Sequence, residues 1–288
     1  MKSKVYFSKN LDSQTLVTIY KKLGLDLKGN VAVKVHSGEK GNQNFLHPEY
    51  FKDIIDYVGG TVVECNTAYD GARNTSEKHK ELLKDHEWTK YFNVDLLDEE
   101  GPDKEVAIPN GKVIKKNYLG KNIDKYNSLL VLSHFKGHPM GGYGGALKQL
   151  SIGCASSYGK AYIHGAGDPA KLWTADHDLF LASMADAASS VVNLFNKNIA
   201  YINVMCNMSV DCDCCAVAED PCIKDIGILA STDPVAIDKV CLDLVYSSTD
   251  PNKDHLIERI ESRHGAYTIE CAENLGIGTT DYELINID

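Results

Sequence analysis

Apolar and polar positions vary along the chain in a way that predicts strands separated by helices. Residues 31–35 and 61–65 are short apolar runs next to turn residues, which is typical of buried strands. Between them, residues 48–58 place apolar side chains at helical spacing, and Gly59 ends that pattern. Strand, helix and strand together make a unit long enough to join two parallel strands.

The same pattern continues to the end of the chain. Strands are predicted at 128–133, 199–205, 226–230 and 282–287, and helices at 178–195, 234–246 and 267–275. Asp233 and Pro234 are suited to begin the second of these helices. Residues 84–116 are the least regular and predict a hairpin or a flap. The predicted fold is α/β, a mostly parallel sheet with helices on both faces. We expect one domain over 1–288, with two lobes around a cleft and a boundary near 150–175 as the alternative.

Composition limits the function more than it limits the fold. The chain has 288 residues and a formal charge of −10. An acidic surface repels a phosphate backbone, so no nucleic-acid partner is expected. No apolar run reaches the length of a membrane span, and the first residues lack the apolar segment of a secretory signal. We therefore expect a cytoplasmic protein with no membrane partner.

Cysteine is the most informative residue type. The chain has nine cysteines, and without a secretory signal they are expected to be reduced and available for metals. Thiolates bind zinc, copper(I) and iron–sulfur units. Five cysteines that follow a predicted strand are the candidate ligands: Cys206, Cys212, Cys214, Cys215 and Cys222. Cys212 and Cys214 form a pair that can chelate one ion, and the other three compete for the remaining positions. A set of reduced structural cysteines is the alternative.

A glycine-rich stretch follows the strand predicted at 128–133. It contains His134 and His138, then Gly144 and Gly145, then Lys148 in the first turn of a predicted helix. Such a connection exposes backbone N–H groups to an anion, which the helix dipole also favours. Lys148 is suited to bind a phosphate or carboxylate, and the histidines to bind metal or transfer protons. The alternative is a turn that needs glycine for positive φ.

Other candidate ligand-binding residues lie in loops after the first two predicted strands. Glu39 and Asn42 follow one strand, and Tyr69 and Arg73 follow the next. Arginine can pair with a carboxylate or phosphate through two hydrogen bonds. His164, between glycines, is a further candidate for proton transfer, although a lone histidine is more often structural. Because ligands of parallel sheets bind beyond the carboxyl ends of the strands, these loops are expected to surround one cleft.

Several strings carry a resemblance to a known family. HSGEKGN, NTAYDGARN, HFKGHPMGGYGGALK and DIGILASTDPVAID resemble the domain-of-unknown-function family 362, whose members are labelled uncharacterised iron–sulfur centre proteins. The resemblance covers nearly the whole chain. Longer members carry ferredoxin-type motifs after the segment matching 159–164, and this chain lacks them. If it binds a cluster, the cysteines at 206–222 must hold it.

A more distant likeness is to the nickel-dependent lactate racemase group. The stretch at 144–148 is similar to its glycine-rich loop, which ends in a lysine. The resemblance implies a nucleotide-derived nickel cofactor between two α/β lobes, with His134, His138 and His164 as acid, base or metal groups.

These observations predict a metal- or iron–sulfur-dependent protein, expected to be an enzyme that acts on a small anionic molecule. One alternative is a non-catalytic carrier of metal, clusters or electrons, with a redox protein as partner. A second alternative is a thiol redox protein.

Overall fold

The computed structural model describes residues 2–288, which form a central sheet covered by helices. Twelve strands are present in this range: β1 Ser3–Ser8, β2 Val31–Lys34, β3 Thr61–Glu64, β4 Val94–Leu96, β5 Lys104–Ala107, β6 Lys116–Leu119, β7 Ser128–His134, β8 Lys136–His138, β9 Gly142–Gly144, β10 Ile199–Met205, β11 Gly227–Ser231 and β12 Tyr282–Asn286. The same range contains ten helices: α1 Ser13–Lys22, α2 Lys52–Val58, α3 Ser76–Asp85, α4 Trp88–Tyr91, α5 Ala146–Lys148, α6 Ser157–His164, α7 His177–Leu194, α8 Pro234–Ser247, α9 Lys253–Ser262 and α10 Tyr267–Asn274.

Eight of the strands form one sheet in the order β12-β1-β11-β10-β7-β2-β3-β4. All of its neighbouring pairs are parallel except the two made by β11, which runs antiparallel to both β1 and β10. Two small antiparallel hairpins, β5–β6 and β8–β9, stand outside it. The prediction of an α/β fold with a mostly parallel sheet is confirmed.

Both faces of the sheet are covered because its central strands are apolar on both sides. In β7, Leu129 and Val131 pack into one apolar cluster with α7, α8 and α10, whereas Leu130 and Leu132 pack into a second cluster with α1 and α2. This division follows from the alternation of side chains along a strand. Strands that are buried on both faces have continuous apolar sequences, and residues 128–133 show this pattern.

Most predicted elements are present within one or two residues of their expected bounds. The capping prediction for α8 is also seen, because the Asp233 carboxylate accepts hydrogen bonds from the amides of Val235 and Ala236. Residues 84–116 include α4, β4 and the first strand of the β5–β6 hairpin. The elements that were not predicted include β1, α1, α4, β4, α6, α9 and the β8–β9 hairpin. Strands from both sides of 150–175 share the sheet, and the division into lobes stays a prediction.

The structure also bears on membrane association. None of the helices in residues 2–288 is long and apolar enough to span a bilayer.

Candidate metal centre and ligand cleft

A cleft of about 460 Å³ lies at the carboxyl ends of the central strands. The neighbouring strands β10, β7, β2 and β3 are parallel, so their following loops meet at one edge of the sheet. Seven of the predicted site residues line the cleft: Tyr69, Arg73, His138, Lys148, His164, Cys214 and Cys215. Residues that were not predicted also line it, among them Lys34, His36, Glu64, Met140, Gln149, Ile152, Lys160, Leu172 and Trp173. The sheet topology therefore brings together loops that are far apart in sequence.

Three side chains at the wall of this cleft could hold a metal ion. Potential ligand atoms of His138, Cys212 and Cys214 lie within 4.8 Å of one another. Lys148 Nζ is 3.9 Å from the Cys212 sulfur. A hydrogen bond with Cys214 and burial raise the pKa of the Cys212 thiol, which favours its neutral form. A cation bound at this point would act in the opposite direction and favour the thiolate.

The hydrogen bonds of His138 determine where its proton lies. Its Nδ1 accepts the backbone N–H groups of Met140 at 3.1 Å and Gly141 at 2.8 Å. The neutral ring therefore carries its proton on Nε2, which is 3.8 Å from the Cys214 sulfur. Burial and the Lys148 ammonium lower the pKa of His138 to about 4, so the ring is neutral at pH 7. In this tautomer His138 donates toward the Cys214 sulfur, which leaves the two thiols as the candidate metal ligands of the group.

The cysteine loop is anchored through Asp213, which lies between Cys212 and Cys214 in the sequence. Its buried carboxylate accepts from Lys136 Nζ at 2.7 Å and pairs with His134 Nδ1 at 3.0 Å. Burial opposes ionisation of Asp213, but His134 and Lys136 outweigh it and hold its pKa well below the usual range. Asn42 Nδ2 also donates to the backbone carbonyl of Cys215 at 2.8 Å. Asn42 therefore holds the loop from outside the cleft.

The predicted anion-binding residues Arg73, Tyr69 and Glu39 form one buried network. Arg73 Nε donates to the Glu39 carboxylate at 3.2 Å, and Arg73 Nη2 donates to the Tyr69 hydroxyl at 2.9 Å. Burial raises the pKa of Tyr69. Because Glu39 already neutralises Arg73, this guanidinium is less available to an external anion than the sequence suggested.

Two lysines of the cleft carry charge without such a partner. Over residues 2–288, neither Lys148 nor Lys160 forms a salt bridge with a carboxylate, whereas Lys34 pairs with Glu64 at 2.5 Å. Lys160 Nζ donates to the carbonyl of Ala155, and burial lowers its pKa. The cleft thus has surplus positive charge within an acidic chain.

His164 carries its proton on the other ring nitrogen than His138 does. Its Nδ1 is 2.8 Å from the carbonyl of Lys160, so Nδ1 carries the proton and Nε2 is left as an acceptor. The ring stacks on Phe180 with centroids 4.7 Å apart. Burial lowers the pKa of His164 to about 4. His164 is therefore a neutral base at pH 7.

The glycine-rich stretch is folded differently from the expected anion cradle. It forms the β8–β9 hairpin, and the short helix α5 continues into a π-helical turn at Gln149–Gly153. The backbone N–H groups of Ala146 and Leu147 donate to the buried carboxylate of Asp238, at 2.8 and 2.9 Å. A side chain at Gly145 would lie 2.5 Å from that carboxylate. The helix N-terminus near Gly144 and Gly145 is thus occupied by an internal anion.

Four predicted residues lie outside the group formed by His138, Cys212 and Cys214, namely His134, Cys206, Cys215 and Cys222. Cys206 is buried among apolar side chains, and Cys222 Sγ donates to the carbonyl of Met208. Both ring nitrogens of His134 face acceptors, since Nε2 lies 2.6 Å from the carbonyl of Cys206 and Nδ1 faces Asp213. Their assignment to metal binding or catalysis stays a prediction.

The sequence reasoning missed the Lys34–Glu64 pair on the floor of the cleft. Both residues lie inside runs that were correctly predicted as buried strands, at the last position of each strand. A charged residue at the end of a buried strand was the available signal, since such residues are rarely buried without a partner. Trp173 and Ile152 had no comparable signal.

The fold and the cleft define an α/β protein with a candidate thiolate metal centre at the carboxyl edge of its sheet. The chain belongs to the family described as Domain of unknown function (DUF362), whose model matches residues 31–243. The predicted family resemblance is confirmed. No curated protein matches the chain at a significant level.

Solved structures that are similar to the chain include two proteins from different organisms. The lactate racemase apoprotein from Thermoanaerobacterium thermosaccharolyticum is similar at a TM-score of 0.52 and 13% identity, over 85% of this chain and 58% of that one. A Thermotoga maritima protein is similar at 0.43 and 11% identity, over 91% of this chain and 58% of its own, which is too distant to carry an argument. The chain spans only about 58% of the length of both structures. The likeness to lactate racemase is confirmed as a shared fold.

Proposed function

We propose that this protein is a metal-dependent enzyme that acts on a small anionic molecule in the cleft. The observation that carries the proposal is the group of His138, Cys212 and Cys214 within 4.8 Å, next to Lys148. Ligand atoms, an ammonium group and a cavity of about 460 Å³ thus meet at one place.

The thiolates of Cys212 and Cys214 are the proposed ligands. Two protein sulfurs leave coordination positions open, as catalytic metal sites do and closed structural sites do not. The Nε2–H group of His138 donates toward the Cys214 sulfur and orients it. A bound metal would supply a Lewis acid or a redox centre facing the cleft.

The other residues of the cleft have separate roles in the proposal. Lys148 attracts and orients the anionic group of the substrate. His164 accepts a proton at Nε2, because its Nδ1 proton is held by the Lys160 carbonyl. Ile152 and Met140 exclude water from the cavity.

Metal analysis tests the proposal. Protein that was purified without oxygen is incubated with zinc, nickel or ferrous iron and then desalted. Its bound metal is measured by elemental mass spectrometry. We expect about one equivalent in the wild type and less than about one tenth of that in Cys212→Ser/Cys214→Ser. Cys271→Ser is the matched control, because Cys271 lies on α10 outside the group and should leave the metal in place. Equal metal in the double variant and the wild type would refute the site.

A thiol redox function is the second candidate, and one observation favours it. A hydrogen bond with Cys214 lowers the pKa of the neighbouring Cys215, which makes this thiol the more reactive one. Counting free thiols before and after mild oxidation distinguishes the two functions. Loss of two thiols in metal-free protein, with no metal bound by the wild type, would favour the redox function.

A further inference from the structure

The mouth of the cleft contains an aromatic side chain that nothing in the protein covers. Trp173 follows the 3-10 turn at Pro169–Lys171 and lines the cavity, yet 64% of its surface is exposed. Over residues 2–288, Trp173 takes part in none of the aromatic pairs or cation–π contacts that the structure contains. The chain has one other tryptophan, Trp88, which is fully buried.

Trp173 lines the cavity together with three other apolar side chains, and these four residues are called the apolar wall. Leu172 precedes Trp173, while Met140 comes from the β8–β9 turn and Ile152 from the π-helical turn. These side chains reach the cavity from three separate segments of the chain. A flat apolar body would remove them from water together, and an indole face favours an aromatic ring.

The same cavity has surplus positive charge. Lys148 and Lys160 line it without a carboxylate partner among the described residues, whereas Lys34 and Arg73 are neutralised by Glu64 and Glu39. A cleft of positive charge in a chain of formal charge −10 concentrates anions. A simple aliphatic anion would satisfy the ammonium groups but would leave the apolar wall exposed.

We propose that the cleft selects anions with an aromatic body, with the anionic group at Lys148 and the ring against Trp173. This names the substrate class and rests on the proposed function for the location of the site. Either part alone binds weakly, because only the combined molecule removes the apolar wall from water while pairing the charge.

Calorimetric titration with three matched probes tests the assignment. The probes are 1-naphthoate, acetate and 1-naphthalenemethanol, so that charge and ring are removed one at a time. We expect 1-naphthoate to bind at least about tenfold more tightly than either of the others. In a nitrogen–proton correlation spectrum, 1-naphthoate should shift the indole signal of Trp173 and leave that of Trp88 in place. Trp173→Phe assigns the two signals.

Variants separate the two parts of the recognition. Trp173→Ala should weaken 1-naphthoate about tenfold and leave acetate unchanged. Lys148→Met should weaken both carboxylates and leave 1-naphthalenemethanol unchanged. Tyr57→Ala is the control, because Tyr57 is a similarly exposed aromatic residue, at 51%, outside the cleft. Equal affinity for 1-naphthoate and acetate, or unchanged 1-naphthoate affinity in Trp173→Ala, would overturn the assignment.

The experiment is designed so that its failure differs from failure of the metal proposal. All titrations use metal-stripped protein and are repeated on Cys212→Ser/Cys214→Ser. Preferential 1-naphthoate binding in both proteins supports the assignment even where metal analysis finds no ion. Metal binding without that preference would leave the proposed function intact and remove the aromatic substrate class.

Discussion

The Lys34–Glu64 pair gives the sharpest prediction about what holds the cleft together. Lys34 Nζ lies 2.5 Å from the Glu64 carboxylate, and their side chains are 0% and 4% exposed. Lys34 also donates to the carbonyl of Val35, and the amide of Ser37 donates to Glu64 at 2.8 Å. Both charges are thus removed from water and depend on each other.

Glu64→Gln should destabilise the protein by about 3–5 kcal/mol, because it leaves the Lys34 ammonium buried without a counter-charge. Lys34→Met should lower the free energy of unfolding by a similar amount, because it leaves the Glu64 carboxylate buried without a counter-charge. The double variant Lys34→Met/Glu64→Gln removes both charges and keeps an oxygen for the Ser37 amide. It should cost only about 1–2 kcal/mol, which implies a coupling of several kcal/mol between the two sites.

Urea unfolding at pH 7, followed by circular dichroism, measures these differences. Burial by itself raises the pKa of Glu64, but Lys34 and nearby cationic groups outweigh burial and bring it far below the usual range. The stability from this carboxylate is therefore present above its unfolded pKa of about 4.3 and is lost as the pH falls toward the folded value. A loss below about 1 kcal/mol for Glu64→Gln, or additive effects in the double variant, would refute the reasoning.

Three further predictions follow from buried groups. Burial raises the pKa of Asp238 from 3.8 to about 6. The protonated Asp238 therefore stabilises the folded state below pH 4, and about 3 kcal/mol of that stability is lost as the pH rises through 6. The free energy of unfolding of Asp238→Asn should lack this dependence on pH between pH 4 and 7. Gly137→Ala should destabilise by about 1–3 kcal/mol, because its Cβ would lie 2.3 Å from the Val210 carbonyl; an unchanged thermal midpoint would contradict this contact. Trp88→Ala should cost about 3–5 kcal/mol, because the ring is fully buried and its Nε1–H donates to the Ser37 carbonyl; chemical denaturation measures the loss.

The local sequence was sufficient to predict the strands and helices of the sheet. Residues 199–205 are apolar throughout and form β10 with those same bounds, and the Asp-Pro pair at 233–234 begins α8 as expected. Burial on both faces and capping depend on neighbouring residues, so they can be read from a short stretch. The missed helix α9 is polar over most of its length, and only two of its residues are buried.

The sequence could name candidate side chains but not their partners. It singled out Arg73 and Glu39 separately, and only the fold shows that they neutralise each other. It proposed the amides after Gly145 as an anion site, and only the packing of α8 brings Asp238 to those amides. Pairing between residues 34 or 92 positions apart depends on the order of strands in the sheet, which no local pattern contains.

The sequence by itself thus determined a mostly parallel α/β protein with thiols, histidines and a lysine in loops at strand ends. Tertiary structure decided which of them meet. It brought Cys212 and Cys214 to His138 and Lys148, and it left Cys206, Cys215 and Cys222 outside that group. Strand propensity and burial are local properties, whereas the position of a side chain in a cleft depends on long-range packing across the whole sheet.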